Sequence, residues 1–149
     1  MNFRASADLT ALQQVFGEIH RRAADWRKPL EESGAPIREE YAREWGSHGP
    51  GWPANAKGST ALYQSGDLKR SFTEQGAKGN LTRVTTREGR FGSTLSYAAL
   101  IQSGGTTTIK GRQITIKPHN IAKPPSPQLL AALAGIATKH FANLRGGTQ

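Results

Sequence analysis

The nine residues Tyr97-Ala98-Ala99-Leu100-Ile101-Gln102-Ser103-Gly104-Gly105 limit the fold more than any other part of the chain. An apolar, small-residue turn of helix runs into an amide, a serine and two glycines. Glycine adopts backbone angles that other residues resist, so the helix must stop here and the chain reverse. Tyr97 and Ile101, four apart, share one side of the turn, and Gln102 is placed to satisfy backbone groups at the Gly104-Gly105 reversal. No nucleophile, paired acid or metal ligand lies in the stretch. It is architecture.

Past the reversal the chain reads as a ribbon. Thr106–Ile109 and Gln113–Ile116 flank Lys110-Gly111-Arg112, a hairpin signal with isoleucines and threonines alternating on two faces. Pro118 to Pro127 reads as an extended, proline-rich connector. A helix from 127 to 144 closes the chain, with Ser126 as N-cap and Pro127 at its first position. Leu129, Leu130, Leu133, Ile136, Ala137, His140, Phe141 and Leu144 form its expected buried stripe.

Upstream, Ala5, Leu9, Leu12, Phe16, Ile19, Ala23 and Trp26 recur at three- and four-residue steps, which predicts an amphipathic helix over 5–27. Pro29 is expected to end or kink it. A second helical piece over about 36–45 carries Ile37, Tyr41 and Trp45, with Glu40 and Glu44 on a solvated or subunit-facing side. From Gly46 to Ser59 four glycines and two prolines exclude regular structure. Trp52 should anchor this loop by burying its ring. After residue 67 the period shifts toward two, predicting short strands at 68–74, 81–86 and 90–94. The whole reads as α+β: a small antiparallel sheet packed with a long N-terminal helix and a C-terminal helix, plus an extended loop and a hairpin arm. At 149 residues it is one domain, 1–149, with segments 46–60 and 106–126 as flexible loop and arm.

The formal charge is +9, and its distribution matters more than its size. Residues 1–44 hold seven Lys/Arg against eight Asp/Glu, whereas residues 45–149 hold thirteen against three. No acidic side chain follows Glu88. Such asymmetry favours an acidic partner surface or nucleic acid phosphate. Cysteine is absent, so neither disulfides nor thiolate chemistry enter. No apolar run approaches the roughly twenty residues of a membrane span, and Met1-Asn2-Phe3-Arg4 lacks the apolar core of a signal peptide. The expectation is synthesis in the cytoplasm and no membrane partner.

Chemistry is hard to find. His20, His48, His119 and His140 have no metal-ligand spacing. The carboxylate pairs Glu31-Glu32 and Glu39-Glu40 sit among Arg27, Lys28, Arg38 and Arg43, which suits a solvated face or intersubunit salt bridges better than acid–base work. The glycine-rich loop lacks the Gly-Lys-Ser/Thr ending of a phosphate cradle. The expectation is no catalytic residue, no metal, no cofactor and no enzyme activity. Lys110, Arg112, Lys117 and Lys123 are candidate contacts to a subunit or to DNA, without a reading helix or stacking platform to give base specificity.

Assembled in order, these motifs resemble the phage virion morphogenesis family, the Mu-like tail-completion and head–tail joining proteins. The resemblance rests on Gly51-Trp52-Pro53, on Leu62-Tyr63-Gln64-Ser65-Gly66-Asp67-Leu68-Lys69-Arg70-Ser71, and on Tyr97-Ala98-Ala99-Leu100-Ile101-Gln102-Ser103-Gly104-Gly105, followed by a basic hairpin and a proline-containing link into a last helix. Where the family carries an Arg-Pro-x-Phe-type link, this chain has Lys123-Pro124-Pro125-Ser126-Pro127. Leu62 and Leu68 are expected to bury against the sheet, with Gly66 turning the chain between them. The resemblance implies a structural protein of the virion neck or tail, assembled as a ring, a hexamer. Its partners would be further copies of itself, connector, tail-terminator or tail-tube proteins, and phage DNA in the lumen through non-specific contact. The alternative is a small basic module that binds nucleic acid independently of sequence.

Overall fold

The break that ends the first helix comes from hydrogen bonds rather than from proline. In the computed structural model, which describes residues 10–46, 52–53 and 66–146, α1 spans Thr10–Ala24 and α2 spans Arg27–Gly46. Between them the Asp25 carboxylate accepts from the Arg27 amide at 3.0 Å, and the Trp26 amide donates to the Thr86 carbonyl at 2.8 Å. The chain thus leaves the helical path before Pro29. That proline lies buried in the first turn of α2, where no amide hydrogen is needed. The second helix therefore starts nine residues ahead of the expected 36, and Pro36 sits inside it. The carbonyl of Glu32, which a residue-36 amide would have met, loses that partner.

α3 spans Asp67–Thr73, where a strand was expected. Gly66 opens it at φ 76°, and Asp67 places a negative charge in the first turn with Arg70 on it at 2.5 Å. Leu68, Ser71 and Phe72 then face the core at helical spacing. Ser71 is fully buried: its Oγ donates to the Leu68 carbonyl at 2.7 Å and meets Ser93 Oγ at 2.8 Å. The strands are β1 (Asn80–Val84), β2 (Gly89–Ser93), β3 (Gly105–Ile109) and β4 (Arg112–Ile116), with α4 (Ala98–Ser103) between the second and third. They pair as two separate antiparallel hairpins, β1 with β2 as a small sheet and β3 with β4 as the arm, and with the helices they make the expected α+β fold. α5 spans Pro127–Gly146 and packs on α2.

The core is aromatic. Trp45 of α2 meets Trp52 edge to face at 5.3 Å and Phe72 of α3 at 5.6 Å, and Tyr41 reaches Phe72 at 4.9 Å. Leu68, Ala98 and Ile121 complete the buried cluster, with Leu95 and Ile101 at its margin. Trp52 buries its ring as the sequence predicts, most of the loop around it lying outside the described residues, and Tyr41 and Trp45 point inward as their spacing requires. The terminal helices are less buried than their patterns suggest. Phe16 and Ile19 on α1, and Leu130 and Phe141 on α5, are exposed. Trp26, between α1 and α2, packs on α5, its ring 5.0 Å from His140 and 5.3 Å from Phe141.

Candidate functional site: the arm and its root

The Gly104-Gly105 reversal forms the root of a projecting arm. Gly104 has φ 71°, and a Cβ there would lie 2.8 Å from the Pro118 ring and 2.9 Å from the Ile116 carbonyl oxygen. Gly105 has φ 145°, with Leu100 at 3.0 Å from the same hypothetical atom. Gly104 therefore demands glycine twice over, for conformation and for space, and Gly105 for its conformation. The outgoing and returning chains pass so closely at this point that no side chain fits between them.

Gln102 ties the returning chain down. Its Oε1 accepts from the amides of Ile121 at 2.7 Å and Ala122 at 2.9 Å, and its Nε2 reaches the Ala122 carbonyl at 3.5 Å. The expected partners were the backbone groups of the glycine reversal; the amide instead reaches across to a segment nineteen and twenty residues on. The His119 amide donates to the Ile101 carbonyl at 2.8 Å, extending the same seam. His119 itself is buried against Trp52, with Nδ1 2.7 Å from the Lys117 carbonyl. Since a carbonyl only accepts, Nδ1 carries the proton.

Beyond the root, β3 and β4 pair from Gly105↔Ile116 to Ile109↔Arg112. Lys110 at φ 50° and Gly111 at φ 74° form a two-residue turn with both centres left-handed, the geometry that matches strand twist. Arg112 belongs to the strand, so the turn is one residue shorter than expected. Among the described residues no other helix or strand makes more than slight contact with the arm. Arg112, Gln113, Ile114 and Thr115 are exposed, as are Thr106 and Thr108, and Thr107 and Ile116 are half-buried.

The connector after the arm is docked. Lys123 Nζ meets the Glu44 carboxylate at 2.7 Å, and the Glu40 carboxylate accepts from both the amide and the hydroxyl of Ser126, at 3.1 and 2.9 Å. Ser126 Oγ in turn accepts from the Leu129 amide at 3.2 Å, the N-cap its sequence position predicts. Arg43 closes the group on Glu40 and reaches Gln128 at 3.4 Å. Burial raises the Glu40 pKa, but the Ser126 hydrogen bonds and the Arg43 charge outweigh it and hold the carboxyl below its usual value. Burial pushes the Tyr41 phenol up. A cleft of about 380 Å³ lies behind this clamp, floored by Tyr41, Phe91, Ile121 and Leu133.

The residues singled out by sequence thus fall into three places. Trp52, Leu68 and Ile101 are core, while Gly66, Gly104 and Gly105 are turns and Gln102 is a clamp. Tyr97 stands 40% exposed at the start of α4, away from the interior that Ile101 faces. Leu62 lies outside the described residues. Lys110, Arg112 and Lys117 are exposed on the arm or its root with no carboxylate partner among the described residues, whereas Lys123 turns onto Glu44. Sequence reasoning missed Glu40 and Glu44 as clamps. Their four-residue spacing was visible, but their partners lie more than seventy residues away.

Comparison with known protein families, with curated proteins and with solved structures finds no match. Among the described residues no helix is long and apolar enough to cross a membrane, and no three potential metal ligands converge.

Proposed function

We propose that this chain is a structural virion assembly protein of a tailed phage or prophage, of the morphogenesis family its motifs resemble. It forms a ring at the head–tail junction or the tail end through the β3–β4 arm. The observation that carries this reading is an arm fixed rigidly at its root and unpaired along its length. A two-stranded ribbon is marginal in water on its own, and its open edges invite pairing with another chain. Gly104, Gly105, Gln102 and His119 nevertheless hold it in one direction. Such a device suits a contact made in assembly. A basic arm on one copy and the acidic side chains of α2 on the next supply the two different faces that a head-to-tail ring needs.

The test is an arm-less variant in which residues 106–115 are replaced by Asn-Gly, closing the chain where Gly105 and Ile116 already face each other. Parent and variant are compared by light scattering at high concentration and by negative-stain microscopy with purified tails and heads. The parent should form rings or join particles; the variant should melt at the same temperature and do neither. A parent that stays monomeric and joins nothing, or a variant that assembles as well as the parent, overturns the proposal.

A further inference from the structure

We infer that the β1–β2 hairpin carries a second functional surface, a binding site for the phosphate backbone of duplex nucleic acid. In the register of this hairpin Arg83 stands directly opposite Arg90. Like charges opposed across a strand pair destabilise it. Only one of them is neutralised, since Arg90 Nε meets the Glu88 carboxylate at 2.7 Å. Arg83 has no acidic partner among the described residues, and neither has Arg87 in the turn. All three are exposed. The hairpin keeps its charges although packing does not use them: the opposite strand face, with Phe91, is the one that docks on α2.

The neighbourhood adds to the field. The Trp26–Thr86 hydrogen bond brings the backbone at the start of α2 against this turn, and Arg27 and Lys28, the next two residues, are exposed. Segments 25–28 and 83–90 together hold five cations, Arg27, Lys28, Arg83, Arg87 and Arg90, against two acids, Asp25 and Glu88, a net of +3. Asp25 is occupied by the Arg27 amide and Glu88 by Arg90. Glu31 and Glu32, a turn further along α2, bound the patch.

Chemistry selects the ligand. The hairpin contributes arginine alone, whose planar fork grips a phosphate through two donors. Arg87 lies about 10 Å along the ribbon from the Arg83–Arg90 row, enough to reach more than one phosphate. The aromatics next to these cations in sequence, Trp26 and Phe91, pack on α5 and α2 and so do not stack a base, which leaves recognition to the backbone, independent of sequence. This surface lies on the docked hairpin and not on the arm, so it stands whether or not the arm builds a ring.

The experiment is fluorescence polarisation of a labelled 30-base-pair duplex of mixed sequence, titrated with full-length protein between 50 and 200 mM KCl. Binding should weaken steeply with salt. R83E/R87E should lose at least tenfold in affinity and flatten the slope of log K against log salt by about two, the loss of two phosphate contacts. R83K/R87K should keep most of the binding, and K139E on α5, an exposed cation away from this hairpin, should change it less than threefold. R83Q/R87Q should repeat the ordering if charge reversal disturbs the hairpin. No retention of duplex at 50 mM KCl overturns the inference, and so does an unaffected R83E/R87E and R83Q/R87Q pair. Equal competition by polyglutamate at matched charge overturns it too, and assigns the surface to an acidic protein.

Discussion

The β1–β2 and β3–β4 hairpins are built alike, five residues to a strand and antiparallel, yet only the first is part of the body. The difference lies in what meets the first hairpin: the Ser71–Ser93 and Asn80–Ser71 hydrogen bonds to α3, and one aromatic ring with the space made for it on α2. Phe91 of β2 reaches α2 at Gly34, where a Cβ would stand 2.9 Å from the ring. β3 and β4 hold threonine and isoleucine in place of an aromatic, and nothing among the described residues of the body is hollowed to receive them. The first hairpin draws its stability from packing. The second draws on its turn and its root, and leaves its surface open to whatever it meets.

That contrast is easiest to break at Phe91. Phe91→Ala should cost about 3 kcal/mol in urea unfolding, near the lower end for a large core truncation because the ring is half-buried. Gly34→Val, which closes the same contact from the helix side, should cost about 2 kcal/mol through overpacking. Gln102→Leu strands the amides of Ile121 and Ala122 without an acceptor and should cost about 2 kcal/mol. Hydrogen exchange would show those two amides opening while the β1–β2 amides stay protected.

Glu40→Gln sharpens the comparison on the connector side, where the clamp separates a docked segment from a free one. The loss at neutral pH should be about 1 kcal/mol, that of an ordinary hydrogen bond, since the amide oxygen can still accept from Ser126 once the charge is gone. The pH dependence carries the sign. The folded carboxyl titrates below its ordinary value of 4.5, so its contribution is complete above that value and fades as pH falls through the lower folded one. The parent should therefore lose more stability than E40Q on acidification below 4.5, and acid titration of melting temperature reads the difference. At the small end, Ile114→Thr on the arm should move stability by less than about 0.5 kcal/mol. A larger loss would mean that the arm is packed after all.

Much of this was open to reading from local pattern. The β3–β4 ribbon, the Ser126 cap, the burial of Trp52 and the inward face of Tyr41 and Trp45 each follow from residues within a few positions of one another. α3 escaped because seven residues give barely two turns, and Leu68-Lys69-Arg70-Ser71-Phe72 fits alternation nearly as well as helical spacing. The start of α2 escaped because Pro29 reads as a stop, although a first helical turn accepts proline freely. The clamps escaped for a different reason. Gln102 with Ile121, Glu40 with Ser126 and Glu44 with Lys123 are partners only once the chain has folded, and no spacing rule announces them. Exposed Phe16 on α1 shows the opposite failure, where a good stripe exists with little of the body against it.

The turn at Lys110-Gly111 opens a practical use for this protein. It sits at the far end of a stalk whose two strands are joined by their own backbone pairing rather than by packing against the body. A peptide spliced between those two residues would be carried outward on that stalk, with no core side chain to displace. An epitope, a fluorophore site or a ligand tag grafted there would ride on the arm's tip, and in a ring each copy would present one.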